Sequence, residues 1–279
     1  MAPTLRSIDL TARPLGSALA ILRGYEWPAL AHVSLSISEA ADVRLVDVLR
    51  ELPLLCSLRL VGAPGADVAM LWDEDAAFPR VRTLALEHVG ADLERLVVQS
   101  CPLSSLSLVG TPCERLDALD LSAGVDGAPP EIRELELTPA DDAVKLQPGA
   151  PPGLALKRLL ARLPMLQRVH LAARPGSAFD SVSLATFLRA VSPDVREIEA
   201  STQVSNARVA FALSSALQRW LANAQRQQLP TLASVKLSLV LEDSATPAEH
   251  ARWPARVEDV HHTLEQACSL NGIAFCLST

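Results

Sequence analysis

The pattern L-x-x-L-x-L recurs from one end of the chain to the other, and that repetition leaves few folds open to it. The units, written by their apolar positions, are Leu5-Ile8-Leu10, Leu30-Val33-Leu35, Leu55-Leu58-Leu60, Val81-Leu84-Leu86, Leu103-Leu106-Leu108, Ile132-Leu135-Leu137, Leu166-Val169-Leu171, Val195-Ile198-Ala200, Leu232-Val235-Leu237 and Leu270-Ile273-Phe275. Successive anchors lie 22 to 38 residues apart, an irregular period of the kind that marks a chain built from repeated supersecondary units. Proline is an independent marker, standing two residues ahead of the anchor at Pro3, Pro28, Pro53, Pro79, Pro130, Pro164, Pro193 and Pro230. Proline fixes φ, has no N–H to give a helix, and pushes the residue before it out of the helical region. Each unit therefore begins where one helix stops and a short strand starts.

In such a strand the fourth and sixth residues of the unit share one face, because side chains alternate with period 2. Helix-like stretches separate the strands: Leu15 to Tyr25, Ala41 to Leu52, Ala91 to Val98, Cys113 to Leu121, Leu154 to Leu163, Leu184 to Val191, Ala207 to Gln225 and Val257 to Leu270. Leu213, Leu217, Trp220, Leu221 and Ala224 follow helical spacing most clearly, and Trp220 is expected in the core on that ground. Proline and glycine cluster at 139–153, and Pro247 and Pro254 punctuate 242–256; both segments are expected to be long loops after strands.

Repeated strand and helix units close into a barrel or stack into an open solenoid. The non-core strand positions decide between them: Ser7/Asp9, His32/Ser34, Ser57/Arg59, Thr83/Ala85, Ser105/Ser107, Glu134/Glu136, Arg168/His170, Glu197/Glu199 and Ser234/Lys236. A closed parallel barrel buries both faces of each strand, and these residues are too polar for that. The expectation is an α/β leucine-rich-repeat solenoid, a horseshoe with a parallel concave sheet and convex helices. It comprises about ten irregular repeats and forms a single domain over 1–279.

Composition excludes several function classes. The 279 residues carry 25 Lys+Arg against 32 Asp+Glu, a net charge of −7, so phosphate neutralisation and nucleic-acid binding are not expected. No apolar run is long enough to span a membrane and no secretory leader is visible. Cys56, Cys101, Cys113, Cys268 and Cys276 are an odd set without C-x-x-C spacing, which fits reduced thiols in the cytoplasm or nucleus and gives no metal site. No phosphate loop or nucleophile motif is present, so no cofactor is expected.

Leu52 to Leu60 (LPLLCSLRL) and Cys101 to Leu108 (CPLSSLSL) resemble the leucine-rich-repeat region of fungal F-box proteins. The closing Leu264-Glu265-Gln266-Ala267-Cys268 and Gly272-Ile273-Ala274-Phe275 resemble the helix and final strand that end such proteins. The resemblance implies a substrate receptor of a ubiquitin ligase. The first repeat begins at Pro3 and no F-box is visible ahead of it, so a cullin-ligase adaptor is expected as partner only if an F-box is supplied elsewhere. A stand-alone adaptor or scaffold is the alternative. The short stretch ahead of Leu5 also leads us to expect an N-terminal edge covered by a partner or by further chain.

The concave face is where a solenoid meets partners. Across neighbouring strands one row reads Glu134, Arg168, Glu197, Ser234 and the next Glu136, His170, Glu199, Lys236. Alternating charge of this kind offers anion contacts at Arg168 and Lys236 and cation contacts at the glutamates, or it forms a self-satisfied cross-strand ladder. Glu136, His170 and Glu199 would be the acid/base set of a hydrolase or transferase on an irregular βα barrel, the third reading, but no nucleophile accompanies them and no catalytic residue is assigned. Glu258, His261, His262 and Glu265 have i,i+4 spacing and lack H-E-x-x-H, so they are expected to be solvated helix charges. Trp253, in the 242–256 segment, is a candidate exposed loop anchor.

Overall fold

The computed structural model describes residues 4–37, 44–62, 72, 77–112, 116, 119, 131–139, 151–173, 181–191, 194–204, 206–226, 231–242 and 245–279. The chain forms two compact units, Met1–Thr111 with Asp117–Ile132, and Pro112–Leu116 with Arg133–Thr279. A quasi-one-dimensional chain divides readily in this way, since each repeat packs mainly against its sequence neighbours.

In the first unit the order is β1 (Ser7–Leu10), α1 (Leu15–Arg23), β2 (His32–Ile37), α2 (Leu45–Arg50), β3 (Ser57–Gly62), β4 (Thr83–Glu87), α3 (Ala91–Gln99) and β5 (Ser105–Thr111). In the second it is β6 (Glu134–Pro139), α4 (Pro151–Ala161), β7 (Arg168–Ala172), α5 (Ser181–Ala190), β8 (Glu197–Val204), α6 (Ala207–Arg226), β9 (Ser234–Leu241), α7 (Pro247–Ser269) and β10 (Ala274–Ser278). Within each unit every strand pairs in parallel with the next one in sequence.

The turn ahead of each strand explains the prolines. The anchor N–H bonds back to the carbonyl three residues earlier in Leu30 to Trp27 (3.3 Å), Leu55 to Leu52 (3.3 Å), Val81 to Phe78 (3.1 Å) and Leu166 to Leu163 (3.2 Å). Each is a four-residue turn with proline second, where its fixed φ is already correct. One residue after the anchor the ladder begins with a shared acceptor. The carbonyl of Arg6 receives the amides of Ala31 and His32, that of Ala31 receives Cys56 and Ser57, and that of Cys56 receives Arg82 and Thr83. Arg133, Gln167 and Arg196 do the same in the second unit.

The fourth and sixth positions of the units are buried, as in Val33, Leu35, Leu58, Leu60, Leu84 and Leu86, and in Leu135, Leu137, Val169, Leu171, Val235 and Leu237. The helices supply the other side of the core through Leu15, Ala18, Leu19 and Leu22 of α1 and Ala210, Leu213, Leu217 and Leu221 of α6. Buried polar groups find partners: the Trp27 indole N–H donates to the Leu22 carbonyl, and Trp72 donates to Ser100 Oγ, each at 2.8 Å. Thr111 Oγ1 donates at 3.1 Å to the buried carboxylate of Glu94. Burial pushes the Cys101 thiol up to about 12 and the Cys268 thiol up to about 11.

Three expectations change. The segment 242–256 is helical from Pro247 onward, because Thr246 caps α7. The Glu249 N–H donates to Thr246 Oγ1, the Thr246 N–H donates to Glu249, and proline occupies the first turn, a capping box with its pre-set first residue. Pro254 then sits inside the helix. Of the expected loop 139–153, residues 140–150 lie outside the described residues, while Pro139 ends β6 and α4 begins at Pro151. Trp220 is half-buried on α6, outside the set of core residues. The expected helix at Cys113 to Leu121 lies outside the described residues except for buried Leu116 and Leu119.

One local device fixes the end of β4. His88 has φ 52°, and its amide donates at 2.7 Å to the Val109 carbonyl. A Cβ on Gly62 would lie 2.5 Å from the His88 carbonyl oxygen, and one on Gly110, whose φ is +75°, would lie 2.1 Å from His88 Nδ1. Gly62→Ala meets backbone that cannot swing away and is expected to cost about 1–3 kcal/mol by chemical denaturation. Gly110→Ala adds left-handed strain of about 1–2 kcal/mol to a ring that must move.

The cysteines give a second check. Cys276 is exposed while Cys101 and Cys268 are buried, and the thiolate is the reactive form. Alkylation of dilute native protein, mapped by mass spectrometry, is expected to modify Cys276 first and to reach Cys101 and Cys268 only on unfolding.

Candidate functional site

The parallel register brings the charged side chains of the second unit onto one solvent-facing strand face. Glu134, Arg168, Glu197, Ser234 and Ala274 occupy one cross-strand row, and Glu136, His170, Glu199, Lys236 and Cys276 the next. Opposed residues on adjacent strands alternate sign, which is the arrangement in which cross-strand pairs stabilise.

Arg168 is the hub of the first row. Its Nε donates to Glu197 Oε2 at 2.7 Å and its Nη1 to Glu134 Oε1 at 3.0 Å. The Arg168 hydrogen bond, followed by its charge, holds the Glu197 carboxyl below its ordinary value, with Lys236 adding a smaller pull. Glu197 in turn raises Arg168, and Glu134 reinforces it. The guanidinium is half-exposed, so solvent screening keeps the pair small.

His170 carries the second row. Nδ1 lies 3.4 Å from Glu136 Oε1, and Nε2 lies 3.0 Å from Ser201 Oγ. Glu199 and Lys236 stand opposite each other in the ladder, and neither forms an ion pair among the described residues, whereas Arg168 pairs with Glu134 and Glu197. Lys236 is exposed, stands opposite Glu199 and acts on Glu197 only through its charge.

Ser201 was not anticipated. The repeat pattern ends at Ala200, but β8 runs on to Val204 with strict alternation, which carries Ser201 and Gln203 onto the face of Glu197 and Glu199. Ser201, His170 and Glu136 stand in the order of nucleophile, base and orienting acid. Acyl transfer also needs donors for an oxyanion, and β8 is paired on both sides, by β7 and by β9. The amides from Glu197 to Ser201 are therefore spent in the ladder, and the contact with Ser201 orients the His170 ring.

Trp253 does not join this face. It lies half-buried on α7, ahead of Val260, Leu264 and Cys268, which are the buried residues of that helix. It is a helix residue and not a loop anchor. His261 and Glu265 form an exposed i,i+4 pair at 3.7 Å, the His261 ring stands 5.7 Å from that of Phe275, and no group of three or more metal-ligating residues gathers among the described residues. Among the described residues of the first unit, Arg59 Nε pairs with Glu87 Oε1 at 2.7 Å. Among the described residues no helix is long and apolar enough to cross a membrane.

The Glu197 pair sets a sign for pH dependence. A carboxyl lowered in the folded state contributes stability above its unfolded value and loses it as pH falls through the folded value. Glu197→Gln is expected to cost under about 1 kcal/mol near neutral pH. The difference from wild type is expected to shrink as pH falls below the ordinary glutamate value and through the lowered folded one, in paired denaturation curves.

No known family pattern matches the chain, and no curated protein matches its sequence. Among solved structures it is similar to the leucine-rich-repeat-containing protein LegL7 from Legionella pneumophila, at 16% identity and a TM-score of 0.53. The match covers 97% of this chain and 90% of that one. With parallel strands that follow chain order and alternate with helices, the fold is an α/β leucine-rich-repeat solenoid.

Proposed function

We propose that this chain is a non-enzymatic protein-interaction module whose second unit presents the contact face. The observation that carries the reading is the placement of Glu199 opposite Lys236 in the ladder. Both are held at fixed spacing by the β8–β9 register and neither is used in an ion pair, beside Arg168 and His170, which are committed to partners. A solenoid face binds extended protein surfaces, and a charge already positioned but not yet paired adds specificity and on-rate at little ordering cost. The partner segment is expected to carry opposite charges in the order that meets Lys236 and Glu199.

The resemblance of Leu52 to Leu60 and Cys101 to Leu108 to the repeats of F-box proteins supports a narrower version, the substrate-recognition part of a ubiquitin ligase receptor whose F-box is supplied elsewhere. The broader version is a stand-alone adaptor. The free cysteines support an intracellular setting, cytoplasmic or nuclear.

Affinity purification from the native cells, followed by mass spectrometry, tests both versions. Lys236→Glu and Glu199→Lys are each expected to lose the partner captured by wild type, with at least a tenfold weaker affinity and an unchanged circular dichroism spectrum. The two reversals combined are expected to restore only part of the binding. Capture that ignores both substitutions would place the contact elsewhere. A cullin-ligase adaptor among the captured proteins supports the narrower version, and its absence supports the stand-alone adaptor.

A further inference from the structure

Charge in the second unit is divided between the two sides of its sheet. Helices α4, α5 and α6 pack side by side with α5 in the middle, and together they contain six lysines and arginines and no aspartate or glutamate. Lys157, Arg158, Arg189, Arg208 and Arg219 are exposed. The chain as a whole has a net charge of −7, and α7, the next helix, mixes Arg252 and Arg256 with Glu249, Glu258, Asp259 and Glu265. The glutamates of the strand face, Glu134, Glu136, Glu197 and Glu199, lie on the other side of the sheet from these helices. A helix is about 10 Å across, more than the roughly 8 Å over which a charge acts at physiological salt, so the helix side presents a positive surface of its own.

Two large apolar side chains stand out of the same layer. Leu154, in the first turn of α4, is 41% exposed, and Phe211, in the second turn of α6, is 64% exposed. Helix α6 is flanked by α5 and α7, so the neighbouring repeats are already in place and leave Phe211 uncovered. Each helix runs from the end of one strand back to the start of the next in a parallel sheet, which puts Leu154 and Phe211 toward the same rim. Lys157 lies about one turn from Leu154, and Arg208 about one turn from Phe211. A basic helical surface with protruding leucine and phenylalanine is the composition of helices that lie in a membrane interface.

We propose that the face formed by α4, α5 and α6 rests on an anionic lipid surface, with the exposed cations meeting headgroups and Leu154 and Phe211 entering the interface. The spacing selects this occupant over a folded acidic protein. Leu154 and Phe211 are two helices apart, roughly 16–20 Å at ordinary interaxial distances, and the exposed cations are spread over all three helices. No single packed centre of the kind that dominates protein interfaces gathers them. Mobile headgroups meet scattered charges wherever they fall, each cation adding about fivefold to the affinity. Bound in this way the chain keeps its glutamate-bearing strand face turned to solution, where it is open to the protein partner.

Cosedimentation of the full chain with lipid vesicles tests the contact. The chain is expected to bind vesicles of phosphatidylcholine mixed with phosphatidylserine, to bind phosphatidylcholine alone far less, and to let go as salt rises. Arg208→Glu combined with Arg219→Glu is expected to lower the affinity at least tenfold with an unchanged circular dichroism spectrum and melting temperature, since both side chains are exposed. Phe211→Ser is expected to weaken binding severalfold and leave its salt dependence as it is. Glu199→Lys, on the opposite face, is expected to bind vesicles as wild type does, so that losing the vesicles and losing a protein partner are separate results. No binding to phosphatidylserine vesicles, equal binding to both vesicle types, or binding indifferent to the two arginine reversals would overturn the proposal. Retention of polyglutamate or of an oligonucleotide in place of the vesicles would also overturn it, and would assign the face to an acidic protein segment or to a nucleic acid.

Discussion

The carbonyl just ahead of the strand, which at Arg6, Ala31, Cys56, Arg82, Arg133, Gln167 and Arg196 accepts two successive amides from the next repeat, is the contact on which the register in each unit depends. It sets which residue of one strand stands beside which residue of the next, and a parallel ladder propagates that choice along the strand. Since side chains alternate across the sheet, a slip of one residue would send the leucines to water and the glutamates to the core. The proline turn ahead of the anchor delivers the chain to that carbonyl in the same way from repeat to repeat. Apolar burial then rewards the register so chosen, with anchors, fourth positions and sixth positions stacked on their equivalents.

This explains why so much of the molecule could be read from its letters. The rows Glu134–Arg168–Glu197–Ser234 and Glu136–His170–Glu199–Lys236 follow from aligning the repeats on Leu135, Val169, Ile198 and Val235, and the strands pair in that register. What escaped notice lay where a local signal competed with the repeat. Helix α7 begins with Thr246-Pro247-Ala248-Glu249, a capping box visible in the sequence, yet Pro254 a few residues later made the whole stretch look like a loop. The helix accepts that proline because the turns around it are anchored by the cap on one side and by Val260, Leu264 and Cys268 on the other. Ser201 escaped for a different reason: β8 continues past the repeat pattern, and alternation alone, without any leucine to mark it, carries the face onward.

His88 shows the limit of pattern reading from the other side. Nothing in the repeat asks for glycine at the ends of β3 and β5, and Gly62 and Gly110 look like loop residues. In the fold they are the space into which the His88 backbone and ring fit, one from each neighbouring strand. The requirement belongs to a three-strand contact and is carried by no single segment.

The same stacking that makes leucines repeat forbids charges from doing so. Equivalent positions on adjacent parallel strands lie about 4.8 Å apart, which suits one leucine beside another and penalises one glutamate beside another. A repeat protein can copy its core indefinitely, but its solvent face must vary from strand to strand or alternate in sign. In the second unit it alternates: Arg168 answers two carboxylates, and the His170 ring stands beside a third. Toward β10 the sequence of signs runs out, with Lys236 facing the neutral Cys276 across the last ladder. The face is therefore self-neutralised in its middle, while Lys236, with Glu199 opposite it on one side, meets no charge on the other.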